Sequence, residues 1–161
     1  MQKDLHLVGF RIGRETFGVP IEFVHSIERI PQITAVPEAP EYIEGVINLR
    51  GKIVSVIDLR KRFGEKDIIA DRKNRVIVVE LEKKMVGLIV DAASEVFKLP
   101  HTEVEKPPNV FEQGDLNYVI GVGKLRGRLI ILIDLTKVLQ RGELKRIGDL
   151  AEEAADAAGV A

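Results

Sequence analysis

Apolar residues in this chain come in short runs broken by turn formers, a pattern of strands rather than of long helices. Leu5 to Ile12 alternates imperfectly and reads as a strand, Gly13-Arg14-Glu15 as a turn, and Thr16 to Ile21 as the returning strand, with Pro20 placing it at a sheet edge. Glu22 to Ile30 has Phe23, Val24, Ile27 and Ile30 at helical spacing, which predicts a short helix or a kinked extended piece with a core-facing side and one open edge. Pro31, Pro37 and Pro40 make a loop, and Pro40 fits the first position of a short helical piece over Glu41 to Glu44. After a charged linker, Glu65 to Lys73, strands follow over Arg75 to Glu82, Met85 to Asp91 and Ala92 to Lys98. Pro107-Pro108 lies in an extended loop, His101 to Gly114; Asn117 to Ile133 is a hairpin and Asp134 to Gln140 its helix. In the tail, residues 143–161, Leu144, Ile147, Leu150, Ala151 and Ala154 make a thin stripe, so a helix packed on the body is expected, fraying from Ala154 onward.

The chain is organised around Gly45 to Leu59. Its pattern is a strand, a tight turn at Leu49-Arg50-Gly51, and a second strand running into a short helix. Gly51 supplies the positive φ that so short a turn requires, Arg50 is left facing outward, and Asp58 stands where its carboxylate caps the helix. The unit recurs. A shift of 76 positions lays Gly121 to Leu139 over Gly45 to Phe63 without a gap, and nine of nineteen pairs are identical. At a shift of 69, Leu7 to Ile12 matches Val76 to Leu81, and Phe17 to Glu22 matches Val86 to Asp91. The chain is therefore a duplication of one all-β unit, copy one over about 5–64 and copy two over about 74–140.

Several strands are apolar on consecutive residues: Ile53-Val54, Val56-Ile57, Val76 to Val79 and Leu129 to Ile133. Both faces must leave water, one into a barrel interior and the other against the sister copy or a partner. A copy of about 60 residues is marginal alone, which demands that the two pack together.

Charge and chemistry narrow the function. With 24 basic and 25 acidic side chains the net charge is −1, which argues against a polyanion-binding surface. Arg60-Lys61-Arg62 reads as a solvated helix face, and two tyrosines without tryptophan give little for bases to stack on. There is no cysteine, and His6, His25 and His101 fall at unmatched places in the copies, so neither thiolate chemistry nor a metal site is expected. Ser26, Ser55 and Ser94 lie in no nucleophile elbow; the glycines of Gly121 to Gly127 repeat a hairpin turn and are not a phosphate loop. No enzyme activity and no cofactor are expected. No apolar leader or membrane-length run occurs, which makes the cytoplasm the default location.

The stretch Gly45 to Arg60, with Asn48-Leu49-Arg50-Gly51 at its centre, resembles the signature of the CheW family of bacterial chemotaxis coupling proteins and of the homologous regulatory domain of the kinase CheA. Phe17-Gly18-Val19-x-Ile21, Val24-x-x-Ile27, the Pro37 to Pro40 loop, Val86 to Asp91 and Ile133-Asp134-Leu135 extend the likeness over residues 5–140. The resemblance implies one CheW-like domain over 1–161, made of two packed five-stranded SH3-like barrels with short helices and a C-terminal helix. It also implies a non-catalytic adaptor that joins the cytoplasmic tip of a methyl-accepting chemoreceptor to CheA. Carried over by position, the receptor-binding residues are Val24, Ile27, Asn48, Arg50, Val86 and Ile89. The kinase-binding loop is Glu105 to Phe111, with Glu105, Pro107, Pro108, Val110 and Phe111; here Glu105 stands where well-known members have arginine, and Val110 where they have phenylalanine.

An outward apolar strip gives affinity by leaving water, and an arginine clamps a partner's carboxylates or carbonyls and fixes register. The plainer alternatives are a turn tether for Arg50 and simple core for Val24 and Ile27. Because coupling protein and kinase domain are alike and two-ended, end-to-end contacts close into rings and build an array from modest single contacts. Two other readings stay open: a coupling protein of a non-chemotaxis two-component pathway, and a small-barrel nucleic-acid binder.

Overall fold

The computed structural model describes residues 4–65, 68–106, 118–139 and 141–157. Copy one supplies β1 (Leu5–Ile12), β2 (Glu15–Pro20), β3 (Val24–Arg29), β4 (Ile43–Leu49), β5 (Lys52–Asp58) and a one-turn helix α1 (Leu59–Arg62). Copy two supplies β6 (Arg75–Leu81), β7 (Lys84–Val90), β8 (Ala92–Leu99), β9 (Val104–Glu105), β10 (Val119–Leu125), β11 (Arg128–Ile133) and α2 (Leu135–Val138). Helix α3 (Arg141–Ala157) follows. The strands form two mixed sheets, β8-β1-β2-β11-β10-β9 and β3-β6-β7-β5-β4. The protein is thus all-β with short helices and a C-terminal helix.

The duplication is visible in detail. Both central hairpins carry a bulge at the same place, between Ile43 and Gly45 and between Val119 and Gly121. Asp58 and Asp134 each cap the following helix, accepting the N–H of Arg60 at 2.9 Å and of Thr136 at 3.0 Å. Each tip has two residues at positive φ where the sequence called for one: Arg50 (51°) with Gly51 (87°), and Arg126 (51°) with Gly127 (77°). A two-residue loop that follows the strand twist needs both, so the arginine is held in a left-handed conformation that only glycine adopts freely.

The copies, however, do not map one to a sheet. β5 runs parallel to β7, Ser55 beside Val86, and β11 runs parallel to β2, Ile130 beside Thr16. β3 pairs with β6 and β8 with β1. Each copy's opening hairpin therefore sits in the sheet built by the other copy's later strands, and the boundaries 5–64 and 74–140 cross both sheets. Parallel neighbours cannot be joined by a tight turn, so the neighbour of β5 or β2 must come from elsewhere in the chain, and it comes from the sister copy. One sheet has six strands because the two-residue β9 adds to β10; its counterpart in the other half is the single bridge between Thr34 and Val46.

The consecutive apolar runs bury both faces. Ile47, Val54, Val56, Val76 and Ile89 form a small cluster in the five-stranded sheet, and Leu7, Phe97, Leu99, Ile130 and Leu132 its counterpart in the other. The opposite faces meet in one large cluster that takes Phe10, Val19, Ile57, Ile77, Leu88 and Ile133 together with Ile147 and Leu150 of α3. Ser55, fully buried, donates its hydroxyl to the Ile147 carbonyl at 2.7 Å, fixing α3 across β5.

Two local expectations hold in part and two change. Pro20 marks an edge only locally: β2 lies between β1 and β11, but pairing with β11 stops at Gly18. Of the two forms expected for residues 22–30, the kinked extended piece is present and not the helix: a 3-10 turn, Ile21–Phe23, leads into the bulged β3. Glu41 and Tyr42 form a turn and not a helical piece, with the Ile43 N–H on the Pro40 carbonyl. Arg60 is buried and not solvated: its guanidinium grips both Asp58 oxygens at 3.0 and 2.9 Å and reaches Asp91 at 3.2 Å and Asn74 at 3.3 Å. Asp91 in turn accepts the Gly13 N–H at 2.7 Å, which ties α1, the end of β7 and the β1–β2 turn into one network. The hydrogen bond to Asp58 raises the Arg60 pKa, outweighing the opposing effect of burial.

Candidate interaction surface

β3 is an edge strand of its sheet, and it exposes Ile27 between His25 and Arg29. The ladder sets Val24 opposite Val79 and Ile27 opposite Ile77, with a bulge between Val24 and Ser26 that keeps both on one face. Val24 is half-buried against the large cluster, whereas Ile27 is 36% exposed. Two further residues join them. The 3-10 turn lifts Ile21 and Phe23 out of the core, to 41% and 38% exposure. The sequence reading passed over these two as site residues because Phe23 fitted a helical stripe. The usable signal was Pro20, which precedes the turn and limits how the chain leaves the sheet.

The tip of β4–β5 comes against this edge. Arg50 lies 3.4 Å from the carboxylate of Glu28, the residue after Ile27, and its side chain remains 72% exposed. The tether expected as the plainer alternative thus exists, yet so exposed and long an ion pair holds little energy and yields readily to a partner's carboxylate. Asn48 is exposed, but its side-chain oxygen accepts the Gly51 N–H at 2.8 Å and so closes the turn.

Val86 and Ile89 do not belong to this surface. Val86 is fully buried in the large cluster, beside Ser55 on the sheet face that α3 crosses, and Ile89 is 4% exposed in the small cluster on the other face. β7 is flanked by β6 and β5, so both faces of its apolar run are already covered. At the edge of the other sheet Glu105 is exposed on β9 and pairs with Lys124 at 3.0 Å. Pro107, Pro108, Val110 and Phe111 lie outside the described residues. Among the described residues no group of histidine or acidic side chains is placed to hold a metal, and no helix is long and apolar enough to cross a membrane.

A β-sheet protein that exposes Ile21, Phe23 and Ile27 at one sheet edge, with a loosely held arginine against the same strand, has the features of a protein-contact surface. A family model described as the CheW-like domain matches residues 6–143. The chain is 34% identical over 143 residues to the chemotaxis protein CheW of Klebsiella aerogenes, covering 89% of this chain and 86% of that one. It superimposes with a TM-score of 0.76 and 38% identity on the crystal structure of the scaffolding protein TtCheW from Thermoanaerobacter tengcongensis, covering 87% of this chain and 90% of that one. A shorter match, 34% over 98 residues and covering 61% of this chain and 53% of the other, is to protein PilI of Pseudomonas aeruginosa. The chain belongs to the CheW family, and the matches identify it as a scaffold protein of chemotaxis type.

Proposed function

We propose that this protein is a non-catalytic adaptor that couples the cytoplasmic tip of a chemoreceptor to the regulatory domain of a CheA-type histidine kinase. The observation that carries the receptor side is the exposure of Ile21 and Phe23 on the 3-10 turn and of Ile27 on the β3 edge, with Arg50 exposed against Glu28, the next residue along β3. A receptor tip is a helical hairpin; its apolar residues cover the strip while Arg50 exchanges Glu28 for a carboxylate or carbonyl of the helix, setting register. Val24 supports the strip from below and Asn48 holds the turn that presents Arg50. The kinase side is assigned to the loop that runs from Glu105 through Pro107, Pro108, Val110 and Phe111. Contacts at two ends, each modest, assemble rings and an array by multivalency.

Binding of a purified receptor cytoplasmic fragment tests the first contact. Arg50→Glu lowers affinity by about tenfold or more with unchanged thermal unfolding; equal affinity at equal stability refutes the role. Val110→Asp weakens binding of the kinase regulatory domain and spares the receptor fragment; a loss of both, or of folding, removes the loop from the kinase interface.

The match to PilI favours a second reading, in which the same adaptor serves a two-component pathway other than chemotaxis. Identifying the kinase and receptor that co-purify with the protein from its native cell decides between the two.

A further inference from the structure

The duplication supplies an internal comparison, because five strands of one sheet have counterparts in the other. Phe97 stands opposite Leu7 as Glu28 stands opposite Val76, so Phe97 is the counterpart of Glu28; by the same alignment Arg126 matches Arg50, Arg128 matches Lys52 and Arg11 matches Glu80. In the five-stranded sheet Arg50 has a carboxylate to lean on. In the six-stranded sheet phenylalanine stands in its place, and the side chain of Arg126 makes no hydrogen bond or ion pair with any described residue. The side chains of Arg11 and Arg14 make none either.

These arginines surround two adjoining hollows of about 370 and 470 Å³ that share Glu95, Phe97 and Arg128. Phe97 lies flat on the bare backbone of Gly9, where an added Cβ would meet the ring at 2.1 Å. Arg128 lies over that ring, 5.4 Å from its centroid, and touches Glu95 at 3.5 Å. The guanidinium is thereby held in plane by stacking and by a weak acid contact, with part of its donor fork turned to solvent. Arg11 and Arg14 line the first hollow and Arg126 the second, and among the described residues Glu95 is the one acidic side chain lining either. The same place carries a strand edge: among the described residues β8 pairs with β1 alone, and Val96 on it is 62% exposed.

We propose that the β8 edge with its arginines is a second docking surface, which takes an extended acidic segment of a partner protein. The segment's backbone adds to β8, its apolar residues meet Val96, and its carboxylates fall on Arg14, Arg126 and Arg128. This surface is separate from the β3 edge and does not depend on what binds there.

The test is fluorescence anisotropy of a labelled peptide of alternating glutamate and valine on the full chain, beside the same peptide with glutamine for glutamate. The glutamate peptide binds at least about tenfold more tightly, and Arg126→Glu and Arg128→Glu each remove most of that preference. Lys52→Glu, the matching reversal in the other sheet, leaves it unchanged. Should Arg128→Glu disturb folding through Phe97, Arg126→Glu, whose side chain has no described polar partner, decides the matter. No preference for glutamate, an equal loss from the reversals in both sheets, or full displacement by millimolar inorganic phosphate overturns the proposal.

Discussion

Arg50 and Arg60 belong to one hairpin-helix unit, and burial alone separates their roles. Arg60 is enclosed, its side chain 8% exposed, and grips a carboxylate that is 5% exposed. Removing the guanidinium leaves Asp58 buried without its cation and cuts the link to Asp91. Arg60→Met is therefore expected to lower unfolding free energy by about 3 kcal/mol, seen as a drop in the urea midpoint. Arg50, held only by a long surface contact, changes stability by no more than about 0.5 kcal/mol when altered, so a binding loss at that position reports on binding. The cap at Asp58 and the outward Arg50 were legible in the sequence because both follow from local backbone needs. The burial of Arg60 was not, because its partners Asn74 and Asp91 come from the other copy, and a run of Arg-Lys-Arg looks solvated until the fold closes over its first member.

Among the elements, the β4–β5 hairpin shows how one glycine holds a loop to a sheet. Gly45 has a φ of 151°, and a Cβ there would lie 2.3 Å from the Thr34 carbonyl oxygen. Thr34 and Val46 exchange two hydrogen bonds of 2.9 Å at this point, the contact that pins the proline loop. Gly45→Ala is expected to destabilise the protein by about 2 kcal/mol or more in chemical denaturation. Gly121 occupies the aligned position without a positive φ, and its added Cβ would meet Val104 and Glu105 at 3.1 and 3.2 Å. Gly121→Ala is expected to cost about 1 kcal/mol, and equal losses at the two glycines would contradict this account. Strands and turns were readable because apolar runs and turn formers are local signals. Whether Ile21, Phe23 and Ile27 were core or surface was not, since a 3-10 turn and a bulge change which way neighbouring side chains face. Val86 and Ile89 were misplaced for a related cause: a run apolar on both faces says that both are covered and leaves open whether by the molecule itself or by a partner.

At the level of the whole molecule the two copies are interlocked, and neither sheet can be completed by one half. The described residues of the segment between them, 65 and 68–73, lie outside both sheets, and Ile69 among them is 74% exposed. A chain cut after Ile69 is expected to remain folded with its circular dichroism unchanged, whereas either half expressed alone stays unfolded and recovers slowly exchanging amides on mixing. A half that folds by itself would show that the exchange of hairpins is dispensable. The duplication was plain in the sequence from the repeated Gly-Val and Leu-Arg-Gly spacing. The exchange was invisible there, because strand pairing between distant segments leaves no trace in periodicity.

Two identical chains of half this length would close these sheets only by trading hairpins, making a symmetric dimer with the same edge twice. In a single chain the two edges need not match. One copy has a glutamate beside its tip arginine where the other has a phenylalanine, so the molecule carries two unlike faces on one repeated design.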